Sequence, residues 1–216
     1  MNALLVKAVL AYLLGSVIGS LVIGRLRGVD IRTLGSGNPG ATNALRTQGM
    51  KVGIAVLAID IFKGWFATAV LAAWPLSLGQ PADPALSAWS APICGIVVIL
   101  GHLYPVWFGF RGGKGVATFI GAVLGLSPLL LSVFVLTWLA AVILLGFVGF
   151  ASMAGAVAVV LACAFGDFPA RTPLVTFSVV ATTLILYSHR SNLARMKAGT
   201  EPRAKRLWLL GARRLR

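Results

Sequence analysis

The chain has 216 residues, of which 58% are hydrophobic and only 11% are charged, with a formal net charge of +14. Soluble domains carry about 25% charged residues, so the composition excludes a soluble domain and predicts a polytopic membrane protein. The positive charge does not indicate nucleic-acid binding. Basic residues flank membrane spans, and the chain lacks the interleaved aromatic and basic residues that single strands require.

Four apolar runs have the length of a membrane-spanning helix, for which about 20 residues are needed. They cover residues 8–24, 52–74, 85–110 and 172–188. The uncharged stretch 115–166 is too long for one crossing, because about 1.5 Å per residue far exceeds a membrane core of roughly 30 Å. Three short crossings fit it, with breaks expected at Ser127-Pro128 and within 146–152. The sequence therefore predicts an all-α polytopic integral membrane helical bundle of seven spans.

Basic residues predict which side of the membrane each loop faces. The segments 25–51, 111–114 and 189–216 hold 5, 2 and 9 of the 19 Lys and Arg residues. Cytoplasmic loops carry an excess of these residues, so we expect these three segments inside and the segments 75–84 and 167–172 outside. The N-terminus is then outside and the C-terminus cytoplasmic, and the long uncharged stretch must cross an odd number of times.

No convincing internal repeat is visible along the chain. We therefore expect a single membrane-embedded domain over 1–216, with a basic cytoplasmic tail from about 204–216. The N-terminal run does not resemble a cleaved signal peptide, because no small-residue cleavage pattern follows it. Cys94 and Cys163 lie in apolar runs and are expected to be buried hydrophobic residues.

The first basic segment contains Gly-Ser-Gly-Asn-Pro-Gly-Ala-Thr-Asn-Ala-Leu-Arg at 35–46. Glycines let backbone N–H groups approach an anion closely, and a guanidinium can bind a phosphate through two hydrogen bonds. We interpret the segment as a phosphate-binding loop, against the alternative of a flexible solvated loop. Its candidate residues are Ser36, Gly37, Asn38, Thr42, Asn43 and Arg46.

The second segment is Arg-Gly-Gly-Lys-Gly at 111–115. It lacks the spacing of a Walker A loop, so nucleotide hydrolysis is not indicated. A lysine between glycines can bind a phosphate as a point charge, and the alternative is an interfacial turn with snorkelling cations. Its candidate residues are Gly112, Gly113, Lys114 and Gly115.

Ionisable residues also occur within the apolar runs. Asp60 and Lys63 are spaced i, i+3 and share a helix face, so we interpret them as a structural ion pair. His102 and His189 lie near the inner ends of their runs, and each is either a packed group or a candidate for proton transfer. The acids and histidines show no metal-ligand spacing and do not assemble a Ser–His–Asp triad.

Three ordered motifs resemble those of the bacterial integral-membrane acyl-phosphate:glycerol-3-phosphate acyltransferases, the PlsY type. The pattern Gly-Ser-Gly-Asn-x-Gly-x-Thr-Asn-x-x-Arg matches 35–46, Gly-His-x-x-Pro-Val-x-x-x-Phe-[Lys/Arg]-Gly-Gly-Lys-Gly-Val-Ala matches 101–117, and His-Arg-x-Asn-x-x-Arg-x-x-x-Gly-x-Glu matches 189–201. The segment 60–64 also resembles a family segment. One departure is the segment 150–153, where the family has a serine-containing turn and from which Ser152 is carried over, and the tail beyond about residue 203 matches no family pattern.

The resemblance implies a seven-span fold that transfers a fatty acyl group from acyl phosphate to the 1-hydroxyl of glycerol 3-phosphate. The products would be 1-acylglycerol 3-phosphate (lysophosphatidic acid) and inorganic phosphate, in the first acylation step of bacterial phospholipid biosynthesis. The protein would be multi-pass in the bacterial cytoplasmic (inner) membrane, among membrane lipids, with an active site facing the cytoplasm. No metal, organic cofactor, nucleic acid or obligate protein partner is implied.

The resemblance also implies roles for individual residues. The catalytic candidates are Ser36, Arg46, His102, Lys114, His189 and Asn192. The substrate-binding candidates are Gly37, Asn38, Thr42, Asn43, Gly112, Gly113, Gly115, Ser152, Arg195 and Glu201. The proton acceptor is His102, His189 or an oxygen of a substrate phosphate, and these three alternatives stay open at this point.

Two other functions share some of these features. A transporter of phosphate or of a phosphorylated metabolite would also carry basic glycine-rich segments, but its site should lie near the membrane midplane. The three motifs are all expected at one face, which favours an enzyme. A lipid-binding scaffold would explain the basic tail and leave the glycine motifs unexplained.

Overall fold

Apolar sequence and close-packed glycines give the chain a helical architecture. The computed structural model describes residues 3–76, 84–204 and 207–209. Within these residues the secondary structure is entirely helical, which confirms the predicted all-α fold. The chain divides into two compact units, Met1–Ser127 and Pro128–Arg216. The expected single domain remains a prediction.

The first unit contains six α-helices within its described residues. They are α1 (Ala3–Gly15), α2 (Gly19–Leu26), α3 (Ala41–Gln48), α4 (Met50–Trp65), α5 (Pro84–Leu103) and α6 (Val116–Leu126). Helix α4 continues into a wider π-helical turn, Phe66–Leu71, so that one apolar helical segment runs through 22 residues.

Glycines allow the helices of the first unit to pack closely. A Cβ at Gly15 would overlap the backbone of α5, and a Cβ at Gly101 would overlap the backbone of α1. Gly64 of α4 and Gly121 of α6 form a second reciprocal pair of close approaches. In membranes the lipid is as apolar as the side chains, so helices associate through close packing rather than through the hydrophobic effect. Small residues allow that packing, because they let helix backbones approach each other. These contacts set the positions from which polar side chains reach the neighbouring helices.

The first apolar run differs from its prediction. We expected one continuous span over 8–24, but the run is divided into α1 and α2, which are bent by 48°. Residues 16–18 between them are not helical. A break within an apolar run leaves backbone groups without helical partners, and polar side chains from α4 satisfy them, as described below.

The second unit contains four α-helices within its described residues. They are α7 (Pro128–Leu145), α8 (Val148–Phe165), α9 (Arg171–Ser188) and α10 (Arg190–Lys197). Both expected breaks are confirmed, at Ser127-Pro128 and at Gly146–Phe147. The segment 150–153, at which the sequence departs from the family's serine-containing turn, is helical, because α8 already begins at Val148.

The chain after α10 returns to the connection between α7 and α8. The Ala204 amide donates to the Gly146 carbonyl at 2.8 Å. The Arg203 guanidinium lies between two rings, 4.6 Å from the centroid of Phe147 and 3.9 Å from that of Trp208. The beginning of the basic tail is therefore packed against this unit, while residues 205–206 and 210–216 lie outside the described residues.

Several helices have the length and composition of membrane spans. Four qualify singly among the described residues, and six qualify if each bent pair, α1 with α2 and α9 with α10, is one span. Helix α6 is a shorter apolar helix. These segments coincide with the predicted spans, and the count of seven and their orientation remain predictions. Most of the expected external segment 75–84 lies outside the described residues.

Candidate functional site

The first glycine-rich loop is held in shape by a buried asparagine. Gly35 and Gly37 adopt positive φ angles of 57° and 70°, which glycine accommodates without strain. The Asn43 side chain accepts a hydrogen bond from the Ser36 amide at 3.0 Å and donates to the Leu34 carbonyl at 2.9 Å. Through these two hydrogen bonds the carboxamide of Asn43 stabilises the conformation of the loop. The expected contact of Asn43 with substrate remains a prediction.

Other side chains of the first loop are available at the surface. Ser36, Thr42 and Arg46 are exposed, and Asn38 is half-buried. Arg46 lies in the last turn of α3, and no hydrogen bond or ion pair to its guanidinium is found among the described residues. An exposed guanidinium without a protein carboxylate retains its full capacity to bind an anion.

The residues before this loop contain a salt bridge. Arg32 donates from Nε and Nη2 to the Asp30 carboxylate, with an Nη2–Oδ2 distance of 2.8 Å. These hydrogen bonds lower the pKa of Asp30 and raise the pKa of Arg32. Arg32 also donates to the Phe108 carbonyl at 3.2 Å, and Arg25 lies over the Phe108 ring at 4.5 Å. A cavity of about 310 Å³ lies among these side chains.

The second glycine-rich turn folds back onto the end of α5. The Gly112 amide donates to the Leu103 carbonyl and the Gly113 amide to the His102 carbonyl, each at 3.1 Å. Gly115 has a φ of 81°, in the left-handed region. A Cβ at Gly113 would overlap Nε2 of His102, so only glycine fits against this ring. Lys114 is half-buried and lies between the last two glycines of the turn.

A buried polar cluster lies beneath these turns. Asp60 and Lys63 form the predicted ion pair, with an Oδ1–Nζ distance of 2.8 Å. His102 joins them: its Nδ1 lies 2.8 Å from Lys63 Nζ and 3.6 Å from Asp60 Oδ1. All three residues are at most 2% exposed. The structural ion pair is therefore confirmed, and His102 is its third member.

The second unit holds the third motif. Glu201 joins two of its members, because its carboxylate accepts from Asn192 Nδ2 at 2.6 Å and from Arg195 Nε at 2.7 Å. Asn192 and Glu201 are largely buried, while the Arg195 side chain remains 34% exposed. No acceptor for the two terminal nitrogens of Arg195 is found in the described part of the chain. Glu201 therefore orients an arginine that still has donors available.

His189 and Ser152 are both buried in the second unit. His189 ends α9, and its Nδ1 lies 2.8 Å from the Ile185 carbonyl. A carbonyl can only accept, so Nδ1 is the donor in this hydrogen bond. The Ser152 hydroxyl donates to the Val148 carbonyl at 2.9 Å and accepts from Trp138 Nε1 at 3.3 Å. The expected role of Ser152 in substrate binding remains a prediction.

Sequence reasoning missed two contacts that motif residues make with other parts of their own units. The Ser20 hydroxyl on α2 donates to the carbonyl of Pro39, within the first glycine-rich loop, at 2.7 Å. Gly149 packs directly against the Asn192 side chain, where a Cβ would come within 2.9 Å of Nδ2. Both are contacts between distant parts of the chain.

The comparison with known families identifies the chain. The family model described as "Glycerol-3-phosphate acyltransferase" matches residues 5–199. The chain belongs to this family. A glycerol-3-phosphate acyltransferase of Paraburkholderia phymatum is 42% identical over 201 residues, which cover 92% of this chain and 91% of that protein. The enzyme of the same name from Aquifex aeolicus is 38% identical, with 90% and 96% covered.

The fold of this chain is also similar to that of a solved structure from the same family. It is a crystal structure of PlsY (YgiH), an integral membrane glycerol 3-phosphate acyltransferase, in its glycerol 3-phosphate form. The match has a TM-score of 0.83 and 35% identity, and it covers 94% of this chain and 96% of that chain. The lysophosphatidic acid form matches with a TM-score of 0.80 and 34% identity. The chain is therefore an integral, multi-pass membrane protein.

Proposed function

We propose that this glycerol-3-phosphate acyltransferase takes its acyl group from acyl phosphate. The 1-hydroxyl oxygen of glycerol 3-phosphate attacks the acyl carbonyl carbon, the bond from that carbon to the phosphate oxygen breaks, and inorganic phosphate leaves. The hydroxyl proton passes to an acceptor and, in the overall balance, ends on the released phosphate. The lipid product is 1-acylglycerol 3-phosphate. Family membership supports acyl transfer and decides against the alternative of an anion transporter.

The observation that carries the choice of donor is the pair of glycine-rich turns in the first unit. Each turn has its own cation: Arg46 follows the first, and Lys114 lies within the second. Two phosphorylated substrates need two phosphate-binding turns. A thioester donor has no phosphate on its reacting carbonyl carbon, so one of the two turns would then have no phosphate to bind there. Acyl phosphate also has a good leaving group, so positioning and charge stabilisation can supply most of the catalysis.

In this proposal the first loop binds a phosphate through Arg46 and the backbone around Gly37. The guanidinium offers two parallel donors, and the positive-φ glycines keep Cβ atoms away from the anion. The exposed hydroxyls of Ser36 and Thr42 and the amide of Asn38 orient glycerol 3-phosphate. Asn43 contributes by holding the loop in the conformation described above.

The second turn receives the head of acyl phosphate. Gly112, Gly113 and Gly115 let the donor approach the backbone, and Lys114 neutralises its phosphate as a point charge. As the carbon–oxygen bond breaks, negative charge grows on the leaving phosphate, so a fixed ammonium stabilises the transition state more than the ground state.

The second unit contributes Arg195 and Asn192 to substrate binding in this proposal. Glu201 fixes the Nε side of Arg195, and the terminal nitrogens of the guanidinium remain for a phosphate. The carboxylate also neutralises part of the local charge, so Arg195 acts as a directed donor. Three acceptors stand as alternatives for the hydroxyl proton: His102, His189 and an oxygen of a substrate phosphate. The variant His189→Asn tests the second of them, because asparagine can still donate to the Ile185 carbonyl but cannot accept a proton in the reaction.

We also propose seven spans, an external N-terminus and a site facing the cytoplasm of the bacterial inner membrane. Contacts within each unit support this arrangement. Lys7, near the start of α1, donates to the Ala72 carbonyl, which follows the end of α4. Arg32 reaches Phe108, and the tail at Ala204 reaches Gly146. Each pair joins segments that the seven-span arrangement assigns to the same side of the membrane.

The donor is tested with purified protein, glycerol 3-phosphate and either acyl phosphate or acyl-CoA. Phosphate release and lipid product are followed together, with and without a metal chelator. We expect product from acyl phosphate alone, in a 1:1 ratio with released phosphate and with no effect of the chelator. Robust turnover with acyl-CoA and none with acyl phosphate would refute the proposed donor.

The orientation is tested by labelling single cysteines from the two sides of the membrane. Cys94 and Cys163 are first replaced by alanine, and cysteines are then introduced singly at two exposed positions, Met50 and Asp167. We expect a membrane-impermeant reagent to label Asp167→Cys in intact cells and Met50→Cys only after permeabilisation. Labelling of both from the same side would overturn the seven-span arrangement.

A further inference from the structure

The break between α1 and α2 is filled by the side chains of one ion pair. Lys63 Nζ donates to the Gly15 carbonyl at 3.0 Å and to the Val17 carbonyl at 2.8 Å. At the other side of the break, the Gly19 amide lies 3.5 Å from Asp60 Oδ1. The cation thus meets the last carbonyl of α1 and one carbonyl of the break, and the carboxylate meets the first amide of α2, as the helix dipoles favour. The bend is held from α4.

The same lysine fixes the state of His102. An ammonium group can only donate, so Nδ1 of His102, 2.8 Å from Lys63 Nζ, is an acceptor and the ring proton lies on Nε2. The three hydrogens of the ammonium are shared among this nitrogen, Asp60 and the two carbonyls. Nδ1 is then occupied and cannot take a proton from a substrate hydroxyl. Nε2 lies against Gly113, whose amide donates to the carbonyl of His102 itself. The histidine therefore supports the second glycine-rich turn from within the unit.

A second connection leads from the cluster to the first glycine-rich loop. Gly19, which faces Asp60, is followed by Ser20, whose hydroxyl donates to the Pro39 carbonyl at 2.7 Å in a buried contact. Gly19, Ser20 and one hydrogen bond therefore connect the ion pair to the first loop. The imidazole ring of His102 connects it to the second turn.

We propose that Asp60, Lys63 and His102 are positioning residues that hold the two glycine-rich segments of the first unit in register for acyl transfer, and that His102 is not the proton acceptor. This inference rests on the proposed function, in which the two segments bind the two phosphates. The cluster determines how far Arg46 and Lys114 stand from each other by fixing the α1–α2 bend on one side and the turn at Gly113 on the other.

The test compares two replacements of His102 that differ in which ring nitrogen they mimic. The Oδ1 of His102→Asn can take the place of Nδ1 and accept from Lys63, whereas the longer side chain of His102→Gln places its polar atoms near Nε2. We expect His102→Asn to lower kcat by less than about 5-fold and His102→Gln to lower it by on the order of 50-fold or more. If both variants lose kcat equally while remaining folded, the imidazole itself takes part in the reaction and the inference is wrong.

Hydrogen exchange of the segment 108–115 gives a readout that does not depend on turnover. In His102→Ala, which removes the ring that lies against Gly113, the amides of Gly112 and Gly113 should exchange at least 10-fold faster than in the wild type. Unchanged protection in His102→Ala would overturn the positioning role. If the wild type fails to use acyl phosphate, the proposed donor fails, and the exchange result still decides the positioning role.

The connection to the first loop has its own variant and control. Ser20→Ala removes the hydrogen bond to Pro39 without disturbing the ion pair, and we expect the KM for glycerol 3-phosphate to rise about 5-fold. Ser132→Ala is the control, because that hydroxyl donates within its own helix, to the Leu129 carbonyl at 2.7 Å. Equal KM values for Ser20→Ala and Ser132→Ala would show that the connection does not position the loop.

Discussion

Two of the carboxylate–cation pairs among the described residues, Asp60–Lys63 and Glu201–Arg195, differ in how much of the cation the protein itself uses. Lys63 is 2% exposed and contacts two carbonyls, Asp60 and His102. Arg195 is 34% exposed and is bonded to Glu201 through Nε, with no acceptor for its other nitrogens in the described residues. The comparison separates a cation whose donors the fold has used from one that keeps donors available, and the second is the one for which we propose phosphate binding.

The largest expected effect is on stability, at the buried cluster. Lys63→Met should destabilise the protein by about 3–5 kcal/mol, because removal of one partner leaves a buried charge unpaired. Arg195→Met should cost less than Lys63→Met, because the Arg195 side chain is 34% exposed and Asn192 still donates to the Glu201 carboxylate. Thermal and denaturant unfolding in detergent measure both. Equal losses of stability would abolish the distinction between the two clusters.

A double variant sharpens the same contrast. In Asp60→Asn with Lys63→Met no charge remains buried, so part of the lost stability should return. The recovery should be incomplete, because the carbonyls of Gly15 and Val17 still lack a donor at the helix break. Full recovery in unfolding experiments would mean that the pair does not support the break.

The next effect is on catalysis, at the cations with a proposed role in phosphate binding. Arg46→Lys and Lys114→Ala should each lower kcat/KM by about 100-fold, or ~2.7 kcal/mol of transition-state stabilisation. Lysine cannot reproduce the guanidinium fork, and unfolding temperatures should stay near the wild type. Lys51→Ala, at an exposed cation outside the motifs, is the matched control. Near-full activity of both variants would show that these two segments do not bind the substrate phosphates in catalysis.

A smaller effect is expected where the carboxylate only orients a substrate-binding cation. Glu201→Gln keeps an acceptor for Asn192 but loses the charge that holds Arg195. We expect kcat/KM to fall by about 10-fold, or ~1.4 kcal/mol, chiefly through KM. Steady-state kinetics with each substrate varied in turn measure this. A kcat/KM equal to that of the wild type would show that Arg195 needs no orientation.

The smallest effect concerns the exposed pair of Asp30 and Arg32. Arg32 lowers the pKa of Asp30 below its ordinary value of 3.8, so the folded state favours the ionised carboxylate more than the unfolded state does. The stabilisation is present above about pH 4 and is lost as the pH falls through the lowered pKa. Asp30→Asn should change stability by less than about 1 kcal/mol at pH 7, and the difference from the wild type should shrink in acid unfolding.

The sequence predicted the positions of the helices and the loops better than the contacts between them. The breaks at Ser127-Pro128 and Gly146 were visible because proline and glycine interrupt apolar runs. The break after Gly15 was not, since residues 16–18 continue an uncharged run and the groups that satisfy it come from α4. The spacing of Asp60 and Lys63 predicted their pairing, but His102 is 39 residues further along than Lys63.

The candidate site shows the same limit. Glycines and cations marked the segments that bear the motifs, because phosphate binding requires those residue types. The motif did not show that the amide of Asn43 is turned into its own loop or that Glu201 bridges Asn192 and Arg195. Such roles depend on which hydrogen-bond donors and acceptors are already paired within the protein. The sequence does not show these pairings, because they join residues that are separated along the chain.

Binding of glycerol 3-phosphate tests the central distinction most directly, without the chemical step. Calorimetric titrations in one detergent compare the wild type, Arg46→Lys and the control Lys51→Ala. We predict a Kd at least 10-fold higher for Arg46→Lys and an unchanged Kd for Lys51→Ala, with all three proteins equally stable. An Arg46→Lys protein that binds glycerol 3-phosphate as tightly as the wild type would contradict the claim that an unused guanidinium marks the phosphate site.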